Sequence, residues 1–316
     1  MVRSKLVGAL ALCGAVFLAN GCAGPEPEEA TPRVASSALQ GGGSAGDRAR
    51  CAVLDPSEAE QDAIETQLLA NQAQRLLSGR GGGRDRITIP VRFHVVTASD
   101  GFGDVSALVP AQLDVLNAAY SHTRVRFRLV DLEVIANDAW FLSAAGSVEE
   151  VEMKAALRRG GAETLNVYTT LGDVYLGWAT FPSDYHKFPS YDGVVLYWAT
   201  LPGTGFNFPY DPTIEPDGVI SYDQGDTGTH EVGHWLGLYH TFEGGCSNKN
   251  DRVSDTPAEA EPQFFCVERD SCTGRRFPGR DPIHNFMDYV DDACMFEFTG
   301  GQESRMRDQW DAFRDD

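Results

Sequence analysis

From Ile87 onward the chain alternates between two hydrophobic periods. Ile89, Val91, Phe93 and Val95 recur at every second residue between more polar neighbours, the pattern of a half-buried strand. Pro110–Ser121 reads as a helix, Val125–Ile135 as a strand, Val148–Arg159 as a second helix and Leu165–Thr170 as a third strand. Gly177–Pro182 reads as an edge strand and Gly193–Thr200 as another strand. Asp226–Leu238 is predicted helical, with Asp226 or Thr227 as its cap. After His240 the periodicity fades until Gly301–Phe313, a helix with Met306, Trp310 and Phe313 on one face. Strands and helices in this order predict an α/β (α+β) fold over residues 87–316.

The pattern before Ile87 is different. Arg3 and Lys5 precede an apolar run, Leu6–Ala19, too short for a membrane span; residues 1–22 read as a targeting signal. Leu18-Ala19-Asn20-Gly21-Cys22 resembles a bacterial lipoprotein processing site, with Cys22 lipidated; ordinary cleavage near Ala23 and free secretion is the other reading. Residues 23–86 are then a tether and pro-segment. Glu26–Gly46 is rich in Pro, Gly, Ala and Ser, as flexible linkers are. Pro56–Leu77 has helical spacing through Ile64, Leu68, Leu69 and Leu76, and the basic Ser78–Arg86 offers an exposed place for maturation cleavage.

The chain has 316 residues and a formal net charge of −20. From Ile87 on, 17 Lys and Arg stand against 36 Asp and Glu, so −19 of that charge lies in the later part. Such a surface repels phosphate backbones, and nucleic acid is excluded as the expected partner. The same charge suits basic peptides, and equally a merely solvated surface.

The densest chemistry lies in His230-Glu231-Val232-Gly233-His234-Trp235-Leu236-Gly237-Leu238-Tyr239-His240, which reads H-E-x-x-H-x-x-G-x-x-H. His230 and His234 are four apart and share one helix face, so both rings reach one ion. A continuing helix would carry His240 about 9 Å along the axis from His234, at 1.5 Å per residue. Gly237 resolves this, because glycine takes positive φ and turns the chain back. Three neutral nitrogens with a fourth position open make a catalytic Zn²⁺ site rather than a structural one. Zinc held there acidifies water and polarises a carbonyl, and Glu231 is placed to move the proton. His94, His122, His186 and His284 lie outside the motif and read as structural or surface histidines.

This motif, together with Asn285-Phe286-Met287-Asp288-Tyr289, resembles the metzincin metalloproteases. His240-Thr241-Phe242-Glu243-Gly244-Gly245-Cys246, Asp255-Thr256-Pro257 and Asp292-Ala293-Cys294-Met295 narrow the resemblance to the pappalysin family, densely from Gly218 to Met306. The resemblance implies a twisted, mostly parallel sheet with an antiparallel edge strand and a loop-rich C-terminal subdomain, residues 241–316. It implies that Met287 underlies the metal without ligating it and that Tyr289 steadies the transition state. Unaided, Met287 reads as a core methionine and Tyr289 as a buried aromatic. Gly177–Ser183 becomes the edge that binds an extended peptide or protein substrate.

Export permits disulfides, and Cys246, Cys266, Cys272 and Cys294 allow three pairings; the resemblance implies Cys246–Cys272 and Cys266–Cys294. Cys51, in Arg48-Ala49-Arg50-Cys51-Ala52, has the position of a cysteine switch, a thiolate holding the open zinc position of the latent form; an unpaired or intermolecularly paired cysteine is the plain alternative. Asn248, Asp251, Ser254, Asp255, Thr256 and Glu259 cluster hard oxygens, and relatives bind Ca²⁺ in this loop, so Asp251, Asp255, Thr256 and Glu259 are calcium candidates. Asp291 and Asp292 follow the methionine turn, where several relatives recognise Arg or Lys after the scissile bond. The expectation is therefore a monomeric zinc endopeptidase made as a zymogen, secreted or surface-anchored, touching membrane only through a lipid on Cys22. The alternatives are a zinc hydrolase of a non-peptide amide and an inactive, calcium-stabilised binding module.

Overall fold

A computed structural model of the chain describes residues 49–79, 86–172, 174–206 and 221–315. The signal, Cys22, the Pro/Gly-rich tether and most of the Gly/Arg linker lie outside the described residues. The frame is one six-stranded sheet. Its strands are β1 (Ala49–Cys51), β2 (Ile87–Thr97), β3 (Val125–Ala136), β4 (Leu165–Thr170), β5 (Tyr175–Ala179) and β6 (Val194–Tyr197), in spatial order β1-β5-β6-β4-β2-β3. β2 pairs in parallel with β3 and β4, and β4 with β6, whereas β5 runs antiparallel to β6. β4 and β6 are buried along their whole length, while the outer strand β3 leaves Val130, Leu132 and Val134 exposed.

The helices are α1 (Glu58–Leu77), α2 (Val109–Ala119), α3 (Asp138–Phe141), α4 (Val148–Leu157), α5 (Asp226–Trp235) and α6 (Gly300–Phe313). The short α3 carries no period of its own in the sequence; Asn137 caps it by accepting from Trp140 N. α2 packs on α5 and β3, and α5 on β5 and β6. Tyr120 OH donates to Thr229 O at 2.9 Å and Gln112 Nε2 to Gly225 O at 2.9 Å, fixing α5 to its neighbour.

Two expectations change. β5 is not an open edge: β1 covers it in parallel register, Cys51 opposite Gly177, and Ala52 N donates to Gly177 O at 3.1 Å. Three residues are too few for a period to show in sequence. The cap of α5 is Gly225, at φ 97°, and not Asp226 or Thr227; both of these already lie in the first turn.

Ser57 and Glu60 close a capping box at the start of α1, satisfying amides that the first turn leaves free. Of its expected apolar positions, Ile64 and Leu68 are buried against Phe313 of α6, whereas Leu69 and Leu76 face solvent. α1 therefore docks through a narrow stripe. Beyond α5 the chain is loop-rich and stapled by disulfides Cys246–Cys272 and Cys266–Cys294, with Cα separations of 5.3 and 5.7 Å.

Candidate active site

α5 ends three residues short of the predicted Leu238, at the turn that Gly237 makes. Gly237 sits at φ +93°, a conformation costly for residues with a Cβ. Leu238 N donates to Gly233 O at 3.0 Å, the 6→1 bond of a Schellman turn, so the helix stops at Trp235 rather than Leu238. Arg314 holds this end. Its Nε donates to Trp235 O at 3.0 Å, its guanidinium lies 3.5 Å above the Trp235 ring, and its Nη2 donates to Asp192 at 3.0 Å. The turn delivers His240 beside the two helical histidines.

His234 Nε2 lies 3.2 Å from His230 Nε2 and 3.1 Å from His240 Nε2. Two nitrogens bound tetrahedrally at about 2.05 Å sit roughly 3.3 Å apart, so the triplet already has the span of a zinc site. The opposite ring nitrogens fix the tautomers. His230 Nδ1 donates to Phe286 O at 2.7 Å, His234 Nδ1 to Leu238 O at 2.8 Å and His240 Nδ1 to Asp55 Oδ2 at 2.7 Å. With Nδ1 donating, each Nε2 turns a lone pair inward. Burial, reinforced by the neighbouring imidazoles, holds His230 well below the usual range and His234 at about 3; burial also holds His240 at about 3. Three neutral donors are what a zinc ion needs.

Glu231 is fully buried, which pushes its carboxyl up to about 8. It reaches the site because Gly177 has no side chain: a Cβ there would meet Glu231 Cγ at 2.8 Å. Cys51 Sγ donates to Glu231 Oε2 at 3.4 Å and shares one metal-sized cluster with the three histidine nitrogens, all four ligand atoms within 4.8 Å of one another. Burial, then the Glu231 carboxylate, raises the Cys51 thiol well above its ordinary value. Among the described residues a second cluster joins Cys266, His284 and Cys294, but its two sulfurs form a disulfide.

Met287 is buried beneath α5, where a side chain on Gly233 would collide with its Sδ. Tyr289 OH lies 3.2 Å from His240 Nε2. Asp291 and Asp292 diverge. Asp291 accepts from Ala293 N in its own turn, whereas Asp292 is buried 3.7 Å from the Arg50 guanidinium, an ion-pair distance, and accepts from Gln224 N at 2.9 Å. Arg50 also lies 4.7 Å over the Tyr222 ring.

The four calcium candidates have unlike surroundings. Asp255 is engaged at the start of α6, accepting from Thr299 Oγ1 and Gly301 N at 2.8 Å each. Glu259 accepts from Thr241 Oγ1 and Arg269 Nη2 at 2.9 Å each. Asp251 Oδ2 and Thr256 Oγ1 are buried with no hydrogen-bond partner of good geometry. The sequence offers no sign of Asp55, and it gives Arg50, Gly233 and Gly177 only as a basic neighbour of Cys51, a motif spacer and the start of a substrate-binding edge. A basic residue beside Cys51 was the one signal present; the other contacts join segments far apart in the chain.

A family profile described as pregnancy-associated plasma protein-A matches residues 213–311. An extracellular metalloprotease of Verticillium alfalfae is 41% identical over 277 residues, covering 84% of this chain and 89% of its own length. One from Colletotrichum graminicola is 38% identical over 286 residues, covering 88% and 96%. Among solved structures, mature mirolysin of Tannerella forsythia with a cleaved peptide matches at TM-score 0.56 and 27% identity, over 73% of this chain and 97% of that one. A promirolysin mutant from the same organism matches at TM-score 0.59 and 26% identity, over 83% and 94%. With similarity of this degree running through the histidine triplet and the turn beneath it, the chain belongs to the pappalysin family of metzincins and is a zinc metalloendopeptidase.

Proposed function

We propose that the chain is exported as a latent endopeptidase, that residues 49–79 are its inhibitor, and that the freed enzyme cuts before Arg or Lys. The observation that carries this reading is Cys51 Sγ, gathered with all three histidine nitrogens and bonded to Glu231. One thiol there blocks the metal position and engages the base together. Arg50, next to it, rests against buried Asp292 as the basic side chain of a substrate would. The extracellular relatives support export. Among the described residues no helix is long and apolar enough to cross a membrane. Anchoring through a lipidated Cys22 stays part of the proposal.

Zinc, when held by His230, His234 and His240, supplies a Lewis acid and lowers the pKa of water. The residues do the rest. With β1 gone, Gly177 offers its backbone to an extended substrate, and Glu231 lies directly beneath. Glu231 takes a proton from the attacking water as oxygen bonds to the scissile carbonyl carbon, then passes it to the nitrogen as the C–N bond breaks. Tyr289 OH donates to the oxygen on which charge develops. Asp292 sets the charge of the pocket for the residue after the cut. Calcium, if it stabilises the loop, is held by Asp251 and Thr256, whose Oδ2 and Oγ1 are buried without a hydrogen-bond partner of good geometry.

Purified full-length chain and chain cleaved within residues 80–86 are to be compared on quenched peptides carrying Arg, Lys or Leu after the scissile bond. Chelator-sensitive cutting by the cleaved form alone, at least tenfold faster with Arg or Lys, is expected. Equal activity before cleavage, a preference for Leu, or full activity in Glu231→Ala would each overturn part of the reading.

A further inference from the structure

Two of the three histidines are oriented by backbone carbonyls next to the site itself, Phe286 O and Leu238 O. The third is not. His240 Nδ1 donates to Asp55, a carboxylate that lies on the segment proposed to leave, four residues after Cys51. Removal of that segment takes away a buried partner of a zinc ligand.

A replacement stands beside it. Glu243 is joined to His240 by a tight turn, its N donating to His240 O at 3.0 Å. Its carboxyl lies against that of Asp55. It is held there by the same departing segment, since Gln61 Nε2 donates to Glu243 Oε1 at 2.7 Å. When residues 49–79 leave, His240 loses its acceptor at the moment Glu243 loses its donor.

We infer that Asp55 is the positioning carboxylate of the third zinc ligand in the latent chain, and that Glu243 takes its place in the mature enzyme. The inference rests on the proposal that residues 49–79 are removed. A carboxylate bonded to the far nitrogen of a metal-binding imidazole fixes the ring and raises its basicity, and losing one weakens metal binding by about 10- to 100-fold. Both carboxylates act through the imidazole of His240. The two carboxylates succeed one another on one ring nitrogen.

The test reads zinc retention, the transfer of bound zinc to a chromophoric chelator, in full-length chain and in chain cleaved within residues 80–86 and freed of the segment. In the full-length chain Asp55→Asn is expected to speed zinc loss about 10- to 100-fold and Glu243→Gln to leave it within about twofold. In the freed enzyme Glu243→Gln is expected to speed loss by the same 10- to 100-fold. The His240 Nδ1 proton, followed by NMR, should persist in both forms of the wild type and vanish from freed Glu243→Gln. Zinc loss from that variant equal to wild type, with the proton resonance unchanged, would overturn the inference. Should Asp55→Asn fail to fold, the Glu243→Gln comparison between forms decides alone. If instead the chain proves active with residues 49–79 in place, the latency proposal has failed, and the Asp55→Asn effect will then appear in the active form itself.

Discussion

The segment 49–79 is held in two unlike ways. Its first seven residues are a plug: Arg50, Cys51, Ala52 and Val53 are buried, and Arg50, Cys51 and Asp55 touch Asp292, Glu231 and His240. Its helix α1 is a surface clip. Lys249 pairs with Glu58 at 2.6 Å and with Asp62 at 3.0 Å, Arg252 with Asp62 at 2.7 Å, Arg305 with Glu65 at 2.6 Å and Arg75 with Asp311 at 3.1 Å. The plug acts by chemistry in a dry site. The clip combines the apolar stripe of Ile64 and Leu68 with ion pairs, of which those of Lys249 stand in water and are weakened by salt, while Arg252 and Arg305 are largely buried. In the proposed latent chain, blocking and holding thus fall to different residues, and the clip would keep the plug at high local concentration.

The largest effect that can break this comparison is removal of the thiol. A structural zinc site is worth about 10–16 kcal/mol over four ligands, so one ligand carries roughly 3 kcal/mol, or about 10²-fold. Cys51→Ala in the uncleaved chain should raise peptide cleavage by about that factor; a chain still silent would assign the block to the clip. Next is Arg50→Ala. Breaking a buried ion pair costs about 3 kcal/mol at the low end, but the partly solvated reference tempers it, and tenfold to a hundredfold faster self-release is expected. Release rates from nicked chain, by gel filtration, check this.

Smaller still is the clip. Lys249→Ala with Arg252→Ala removes the pairs to Glu58 and Asp62, so the nicked segment should dissociate roughly 5- to 30-fold faster, and about 0.5 M salt should speed its release from the wild type. An anisotropy assay on labelled segment that shows no salt dependence would dissolve the distinction between plug and clip. The smallest effect concerns Asp251, which lies between Lys249 and Arg252. Burial raises its carboxyl to about 7 from 3.8. A raised folded value means stability that is complete below pH 3.8 and is lost as pH rises through about 7. Millimolar calcium should therefore raise Tm by about 2–4 °C at pH 7.5 and by less at pH 4.5. Equal shifts at both pH values would remove calcium from Asp251.

The zinc triplet was legible because its information is local. His230, His234, Gly237 and His240 specify a helix, a stop and a return within eleven residues, and β4 and α6 were likewise carried by their own periods. What sequence left hidden is contact across distance. Arg50 and Asp292 stand at opposite ends of the chain, and nothing in either neighbourhood names the other. β1 is too short to announce itself. The partners of Asp255 and Glu259, a helix start and an arginine, were equally invisible in the loop's own sequence. Gly233 and Gly177 are glycines for what would collide with them, Met287 and Glu231, and that is visible only once the chain has folded.

Gly177 has a wider consequence. It presents bare backbone to whatever strand lies on β5, and β1 already uses its carbonyl through Ala52 N. Backbone alone cannot tell a restraining strand from a digestible one, so the two must be told apart by the few side chains beside it. If residues 49–79 silence the enzyme as proposed, they are obliged to imitate what it eats. Under the proposed preference a drift in diet at Asp292 would have to be followed at Arg50, and a methyl group at 177 would dull restraint and appetite in a single stroke.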